Sequence, residues 1–263
     1  MSDTRKIGVL DSGVGGLTGV REFEKVMPGE DLLYYGDSKN RPYSYQSEER
    51  LIYLLTAILD DFAAQNVKAV AFACNTISTL LDHFDGKYPF PIYSIVKAGV
   101  DHVLKNNVRA VGIACTKFTA ASRQHERLIH AVDPSILVCT QSFYELSSHI
   151  QNGEWSDVPA CIEKYMEPLE AQGQVTHIIL GCTHYPIARE YFEAARPHIT
   201  FIDPAQELAL QIRDSLAAND QLSGKDTHTT EIYTSGDPEQ YRAVIKKLGI
   251  SDPKVIAQRI IVE

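Results

Sequence analysis

Two cysteines occupy matching sequence contexts, and their side chains are the first candidates for chemistry. Cys74 and Cys182 each end an apolar run, and short polar residues follow them in Cys74-Asn-Thr76 and Cys182-Thr-His184. A thiol at the carboxyl end of a buried strand meets the N–H groups of the next helix, which favour the thiolate and can lower the thiol pKa from about 8.5 toward neutrality. A pair of such groups can remove a proton and return one.

The other three cysteines have surroundings that predict a smaller chemical role. Cysteine is among the most buried residue types, and Cys139 and Cys161, which lack polar companions, are predicted to fill space in the core. Cys115 is intermediate, because it precedes Thr116 at the end of an apolar run. Five widely spaced cysteines without a C-x-x-C pair indicate neither a disulfide framework nor a cysteine zinc site.

Asp11 and His184 are candidates to tune the two thiols. Each also has a structural interpretation, since an aspartate before a glycine-rich turn is a frequent helix cap and a histidine can cap the helix that follows it. The turn after Asp11 contains Gly13 and Gly15, but Thr18 stands where a dinucleotide-binding loop requires its third glycine. A nucleotide cofactor is therefore not predicted.

The elements that must position these residues alternate between buried strands and amphipathic helices. A helix is predicted over residues 51–62 after the cap Ser47, and another follows Asp203 as cap and Pro204 as first residue. Strands that alternate with helices imply an α/β fold with mainly parallel sheets. The predicted strands are Ile7–Leu10, Leu32–Tyr35, Val67–Ala73, Ile92–Val96, Val108–Ala114, Ile136–Val138, His177–Leu180 and Ile199–Ile202.

The chain repeats one plan at a spacing of roughly one hundred residues, which is near the length of a small domain. Ile7-Gly-Val-Leu-Asp-Ser12 is echoed by Val111-Gly-Ile-Ala-Cys-Thr116, and Val70-Ala-Phe-Ala-Cys-Asn-Thr76 by Ile178-Ile-Leu-Gly-Cys-Thr-His184. A duplication of this kind predicts two similar lobes that face each other across a cleft. The alternative interpretation is that all buried parallel strands resemble one another.

The composition excludes several functional classes. A chain of 263 residues with 44% hydrophobic and 22% charged residues can bury a core in one large domain or two small ones. The net charge of −9 argues against binding to nucleic-acid phosphates or to an anionic membrane. Because no apolar stretch reaches the length of a signal segment or a membrane span, a soluble cytoplasmic protein is expected.

Five motifs lie in order along the chain: Asp11-Ser-Gly-Val-Gly-Gly-Leu-Thr18, Tyr35-Gly-Asp-Ser38, Pro42-Tyr43, Ala73-Cys-Asn-Thr76 and Leu180-Gly-Cys-Thr-His-Tyr-Pro186. Over residues 7 to about 210, the chain resembles the glutamate racemases, in the aspartate/glutamate racemase superfamily. The last two of these motifs are specific when they occur together, although each is weak alone.

The resemblance implies an α/β fold of two pseudo-symmetric lobes, each with a mainly parallel sheet flanked by helices, and an active site at the lobe interface. The first lobe is expected to comprise residues 1–97 and 207–263, and the second residues 98–206. Carried over by motif, Cys74 and Cys182 are the implied catalytic acid/bases, and Asp11 and His184 assist them. The implied substrate-binding residues are Ser12, Pro42, Tyr43, Ser44, Asn75, Thr76, Thr116, Thr119 and Thr183.

The implied activity is the interconversion of L- and D-glutamate by proton transfer between a thiolate and a thiol. This isomerase reaction supplies D-glutamate for peptidoglycan, and hence for cell wall biogenesis and cell shape. The family uses no pyridoxal phosphate, metal or nucleotide, so no cofactor is expected. Glutamate is the expected partner, a homodimer is suggested because dimers are common among relatives, and neither a membrane nor a nucleic acid is expected to bind.

Four positions depart from the family pattern. Asn40 stands where an arginine is common, Ser44 and Cys115 replace glycines, and Ser147 stands where a glutamate is frequent. Since these positions belong to the pocket wall, two alternatives stay open: a racemase for another amino acid such as aspartate, and a catalytically weakened member with a regulatory or binding role. A one-cysteine decarboxylase is disfavoured, whereas composition does not exclude a pyridoxal-phosphate racemase.

Overall fold

Parallel strands form two separate β-sheets in the computed structural model, which describes residues 2–262. In spatial order, the first sheet contains β10 (Val255–Gln258), β9 (Thr230–Thr234), β2 (Leu32–Gly36), β1 (Ile7–Asp11), β3 (Ala69–Phe72) and β4 (Ile92–Ser94). The second contains β6 (Leu137–Ser142), β5 (Ala110–Cys115), β7 (His177–Gly181) and β8 (Thr200–Ile202). This arrangement confirms the predicted α/β fold with two parallel sheets.

Helices connect the strands and flank both sheets. They are α1 (Leu17–Val26), α2 (Glu48–Ala64), α3 (Asn75–Ser78), α4 (Ile95–Lys105), α5 (Lys117–Ser122), α6 (Gln124–Val132), α7 (Leu146–Asn152), α8 (Val158–Glu170), α9 (Arg189–Ala195), α10 (Ala205–Ala218) and α11 (Pro238–Leu248). In the part of the chain that the structure describes, none of the helices combines the length and the apolar character that a membrane crossing requires.

The two sheets share a strand order that matches the sequence repeat. β1 lies between β2 and β3 with β4 outside, and β5 lies between β6 and β7 with β8 outside. Leu10 pairs with Phe72 in the first sheet, and Ala114 pairs with Leu180 in the second. These two pairs occupy equivalent positions in the sequence echoes, so the repeat extends to the register of the central strands.

The predicted strands are all present, with differences at their ends. Residues 95 and 96 begin α4 instead of extending β4, because the Ser94 hydroxyl accepts the N–H of Lys97 (3.3 Å) and starts the helix there. Two strands, β9 and β10, were not predicted, and they extend the first sheet beyond β2. Their segments are short and lack the continuous apolar character of the central strands.

Both predicted helix starts are present. The Ser47 hydroxyl accepts the N–H of Arg50 (3.2 Å) at the start of α2, as expected for an N-cap. A carboxylate oxygen of Asp203 accepts the N–H of Ala205 (3.0 Å), but the helix begins at Ala205, one residue later than expected. Pro204 therefore occupies the cap position and not the first helical turn.

The strands of the first sheet come from residues 7–94 and 230–258, and those of the second from residues 110–202. The expected lobe boundaries fall inside α4 and α10, which pack against each other, and α10 also packs against α1. The exact lobe limits therefore stay a prediction.

A buried ion pair ties distant parts of the first sheet's lobe together. Lys68 and Glu30 are almost fully buried, and Lys68 Nζ lies 2.5 Å from a Glu30 carboxylate oxygen. The same ammonium donates to the carbonyl oxygens of Asp3 (2.7 Å) and Gln221 (2.8 Å), and Glu30 accepts the N–H of Ser223 (2.7 Å). Four chain segments thus meet at one charge pair.

Candidate active site

The carboxyl ends of β3 and β7 meet at one pocket, which is where ligands bind in parallel α/β sheets. The space in the pocket, including the part that opens to solvent, is about 360 Å³. Cys74 enters it from the first sheet and Cys182 from the second. All of the site residues predicted from sequence line this pocket except Asp11 and Thr119, which lie behind its wall.

Cys74 follows β3 and stands at the N-cap position of the short helix α3. Its thiol donates to the hydroxyl of Ser12, with 3.8 Å between sulfur and oxygen. Burial raises the pKa of the Cys74 thiol to about 11, the negative charge of Asp11 adds to this, and backbone N–H groups of α3 oppose it. The thiol form is therefore the resting state of Cys74 at neutral pH.

Cys182 follows β7 and lies 3.8 Å from Nδ1 of His184. Burial raises the pKa of the Cys182 thiol, and the N–H of His184 together with the positive charge of Arg41 opposes that rise. Burial also lowers the pKa of His184 well below its ordinary value, so this imidazole is neutral. Its side chain makes no capping hydrogen bond to the turn Tyr185–Ala188, so the capping interpretation of His184 does not hold.

Gln151, on α7, determines which nitrogen of His184 carries the proton. Gln151 Nε2 donates to Gln240 Oε1 (3.2 Å), so Gln151 Oε1 faces His184 Nε2 at 2.8 Å. An amide oxygen only accepts, and the hydrogen of the neutral ring must therefore sit on Nε2. The lone pair on His184 Nδ1 is thereby directed at the thiol of Cys182.

Asp11 links the two sheets from behind the pocket. One oxygen of its carboxylate accepts the N–H of Gly13 (2.9 Å), and the other accepts the hydroxyl of Thr183 from the second sheet's side (3.0 Å). Burial raises the pKa of Asp11 to about 6, and the bonds from Gly13 and Thr183 limit that rise. Asp11 both holds the glycine-rich turn and places a titratable group beside the pocket.

A row of threonine hydroxyls also crosses between the sheets. Thr76 and Thr116 lie 3.1 Å apart, and Thr116 and Thr119 lie 3.0 Å apart. Thr116 additionally caps α5 by accepting the N–H of Thr119 (3.4 Å). Thr119 therefore supports the pocket wall through Thr116 without lining the pocket itself.

Asn75 is the most conspicuous polar residue in the pocket wall. It is almost fully buried, and among the described residues neither its amide nitrogen nor its amide oxygen has a hydrogen-bond partner. A buried amide without partners costs free energy, so its partners are expected to come from a bound molecule.

The segment that carries Pro42, Tyr43 and Ser44 is anchored by a buried carboxylate outside the pocket. The Tyr43 hydroxyl donates to Asp37 (2.6 Å), which leaves the edge of the ring on the pocket wall. Asn40 donates to the same carboxylate (3.0 Å) and does not line the pocket.

The remaining positions that depart from the family pattern divide between wall and core. Ser44 and Ser147 line the pocket, whereas Cys115 is fully buried in β5 and lies outside it. The expectation that all four positions belong to the pocket wall is therefore wrong for Asn40 and Cys115, because Asn40 bonds to Asp37 and Cys115 packs in the core. Cys139 and Cys161 are buried in the apolar core of the second sheet, as the sequence predicts.

Two residues of the site were missed from the sequence. Arg41 lines the pocket, and Gln151 reaches it through His184. Arg41 precedes the Pro42-Tyr43 motif and could have been suspected from that position alone. Gln151 carries no such signal, because its role depends on where α7 packs.

The geometry brings together two thiols, a neutral imidazole that can accept a proton, a buried carboxylate and an unpartnered amide. Each thiol comes from a different sheet, so proton transfer at a carbon held between them is chemically feasible. Among the described residues, the only cluster with metal-ligand character is His149, Glu154 and Asp157, which is partly exposed and separate from this pocket.

Comparison with known proteins gives consistent likenesses over nearly the whole chain. A family model described as Asp/Glu/Hydantoin racemase matches residues 20–212. The chain is 32% identical to the glutamate racemase of Thermoanaerobacter pseudethanolicus over 243 residues, which cover 91% of each chain.

Solved structures show the same likeness. The glutamate racemase of Francisella tularensis in complex with D-glutamate superposes with a TM-score of 0.87 at 28% identity, over 99% of this chain and 98% of that one. A glutamate racemase isoform from Bacillus anthracis superposes with a TM-score of 0.91 at 25% identity, over 98% of this chain and 99% of that one.

Proposed function

The chain belongs to the Asp/Glu/hydantoin racemase family, and on that premise we propose that it interconverts L- and D-glutamate by proton transfer between Cys74 and Cys182. It is a racemase, and therefore an isomerase. The proposal needs no cofactor, since both proton carriers are side chains. The observation that carries it is the entry of Cys74 and Cys182 into one pocket from different sheets.

Inversion at Cα requires one group to remove the proton from one face while a second group delivers a proton to the other. The repeat supplies such a pair, because Cys74 and Cys182 occupy equivalent positions after β3 and β7. In one direction Cys74 acts as thiolate and Cys182 as thiol, and in the other direction the two exchange roles.

Each thiol has its own route to the thiolate. The lone pair on His184 Nδ1 can take the proton of Cys182 across their 3.8 Å contact. For Cys74, the Ser12 hydroxyl and the backbone N–H groups of α3 favour the thiolate, whereas the negative charge of Asp11 opposes it. Distinct neighbours thus control the proton of each cysteine.

The α-proton of an amino acid is a very weak acid, so the charge that develops on the substrate must be stabilised. The free amide of Asn75 and the threonine hydroxyls of Thr76 and Thr116 are donors in the pocket wall beside the thiols. Loss of one donor of this type costs about 3 kcal/mol of transition-state stabilisation in enzymes.

The test is incubation of the protein with L-glutamate in deuterated water. We expect the α-proton signal in the NMR spectrum to disappear while D-glutamate accumulates until the isomers are equal, as measured by chiral chromatography. Unchanged spectra at high enzyme concentration would rule out the proposed activity.

A parallel incubation with L-aspartate separates the two substrates. Because Asn40, Ser44 and Ser147 depart from the family pattern, the rates of α-proton exchange with glutamate and with aspartate have to be compared. Exchange that is faster with aspartate than with glutamate would transfer the assignment to an aspartate racemase. The Cys74→Ser/Cys182→Ser double variant serves as the inactive control.

The biological role that follows is the supply of D-glutamate for peptidoglycan from the cytoplasm, with a homodimer as the expected assembly. This part rests on family membership alone. Growth of a D-glutamate-requiring bacterial strain after expression of the chain tests it, and failure of an expressed and active protein to restore growth would contradict the role.

A further inference from the structure

Arg41 is a pocket residue whose guanidinium has no direct ion-pair partner among the described residues. It also makes no side-chain hydrogen bond in the part of the chain that the structure describes, whereas Arg50 of the neighbouring helix donates to Asn40 (3.3 Å). It is only partly exposed. A guanidinium in such a position is available to an anionic ligand.

The side chain of Arg41 is directed across Gly13 and along the pocket. A Cβ atom built on Gly13 would lie 2.7 Å from Arg41 Cδ and 3.2 Å from Arg41 Nε. The glycine thus provides the space through which the arginine passes. Its positive charge lowers the pKa of Asp11, Cys182 and His184, which places the guanidinium near these three pocket groups.

No other pocket-lining side chain in the described structure carries a positive charge. His184 is neutral, and the rest of the lining is hydroxyl, amide, thiol or apolar. Glutamate carries two carboxylates and one ammonium. The donors that directly follow the thiols, at Asn75, Thr76 and Thr183, are placed for the α-carboxylate beside the reacting carbon.

We propose that Arg41 binds the side-chain carboxylate of the substrate and so makes the site selective for dicarboxylic amino acids over their uncharged analogues. This inference rests on the racemase function proposed above and adds a specificity-determining residue to it. A planar guanidinium can donate two parallel hydrogen bonds to one carboxylate, which is stronger and more directional than a single neutral bond.

Calorimetric titration of wild type and Arg41→Gln with L-glutamate and L-glutamine tests the assignment. The wild type should bind glutamate more tightly than glutamine. In Arg41→Gln the dissociation constant of glutamate should rise about 10- to 100-fold, as expected for a lost charge-assisted pair, while that of glutamine stays within about twofold.

Two further variants distinguish charge from shape. Arg41→Lys keeps the charge without the planar fork and should weaken glutamate binding by less than Arg41→Gln does. Lys39→Gln removes an exposed cation from the same segment outside the pocket and should leave both ligands unaffected. In Arg41→Gln, racemisation should show a raised KM with kcat changed far less, since the contact is made equally in ground and transition states.

Equal weakening of glutamate and glutamine in Arg41→Gln, or no change in either, overturns the proposal, as does a wild type that does not prefer glutamate. If the wild type binds glutamate with the predicted Arg41 dependence but does not racemise it, the racemase function fails while the binding role of Arg41 stands.

Discussion

Burial makes the negative charge of Asp11 unfavourable for folding. Burial raises its pKa from 3.8 to about 6, so the folded protein holds a proton there more tightly than the unfolded chain does. The contribution of Asp11 to stability therefore falls as the pH rises from about 4 to 6, and its full cost, about 3 kcal/mol at most, is present above that range.

Asp11→Asn should accordingly raise the free energy of unfolding at pH 8 by about 1 to 3 kcal/mol, with little gain at pH 4.5. The hydrogen bonds to Gly13 and Thr183 reduce the gain, because an amide satisfies only one of them as an acceptor. Urea denaturation at both pH values measures the effect. An equal effect at the two pH values would mean that the charge of Asp11 is not its cause.

Gln151 is expected to act on catalysis through His184. Gln151→Leu removes the acceptor that holds the proton on His184 Nε2, and kcat/KM should fall about 10- to 100-fold, as for other residues that orient a functional side chain. Gln240→Leu removes only the outer bond and should cause a smaller fall. Kinetics of Gln151→Leu within twofold of wild type would contradict this role.

Cys74 and Cys182 could be found from the sequence because each ends an apolar strand and precedes polar residues, and because the two segments repeat. Arg41 could only be suspected from its position before the Pro42-Tyr43 motif, because its role comes from the path of one loop. Gln151 could not be found, because its role comes from the packing of one helix. Residue type alone does not distinguish these two cysteines from core cysteines such as Cys139. The polar residues that follow them in the sequence do.

At the start of α5, the hydroxyl of Thr116 bonds to the hydroxyl of Thr76 and so connects the second sheet's side of the pocket to the first. Thr116→Val removes the cap of α5 and the bond to Thr76, and should lower the free energy of unfolding by about 1 to 2 kcal/mol. The KM for glutamate should rise as well, because the wall beside the thiols loses a donor.

Ser47→Ala is the matched control for Thr116→Val. It removes the cap of α2 at a residue that does not line the pocket, and should lower stability by about 1 kcal/mol without changing KM. Denaturation and steady-state kinetics of both variants decide the matter. An unchanged KM in Thr116→Val would show that Thr116 only supports the fold.

The sequence predicts strands well where the apolar run is long and buried, as in β1, β3, β5 and β7. β9 and β10 escape prediction because their residues alternate or are partly exposed, and their strand conformation depends on the pairing of β9 with β2 and of β10 with β9. The one-residue shift at the start of α10 arises because Pro204 takes the cap position next to Asp203.

For the whole molecule, the pair Lys68–Glu30 is the contact that holds distant segments of the first sheet's lobe together. Lys68→Met leaves Glu30 buried without its cation and should lower the free energy of unfolding by about 3 to 5 kcal/mol, measured by urea denaturation. Combining it with Glu30→Leu should recover part of this loss. A double variant as unstable as the sum of the two single variants would contradict a direct coupling.

The two lobes contact each other at the pocket through Asp11 and Thr183, through Thr76 and Thr116, and through Gln240 and Gln151. Lys247 of α11 also lies over the ring of Trp155, 3.4 Å from its centroid. Motion of one lobe against the other would therefore change the spacing of the thiols and the orientation of His184 together.

In the proposed mechanism, each cysteine removes or delivers the proton at one face of the substrate Cα. The most direct measurement is deuterium incorporation at Cα of L-glutamate and of D-glutamate by Cys74→Ser and by Cys182→Ser, with Cys139→Ser as a core control. Each catalytic variant should lose net racemisation and should label only one isomer, and the two variants should label opposite isomers, while the control behaves as wild type. Labelling of the same isomer by both variants, or racemisation at the wild-type rate in either, would contradict the account.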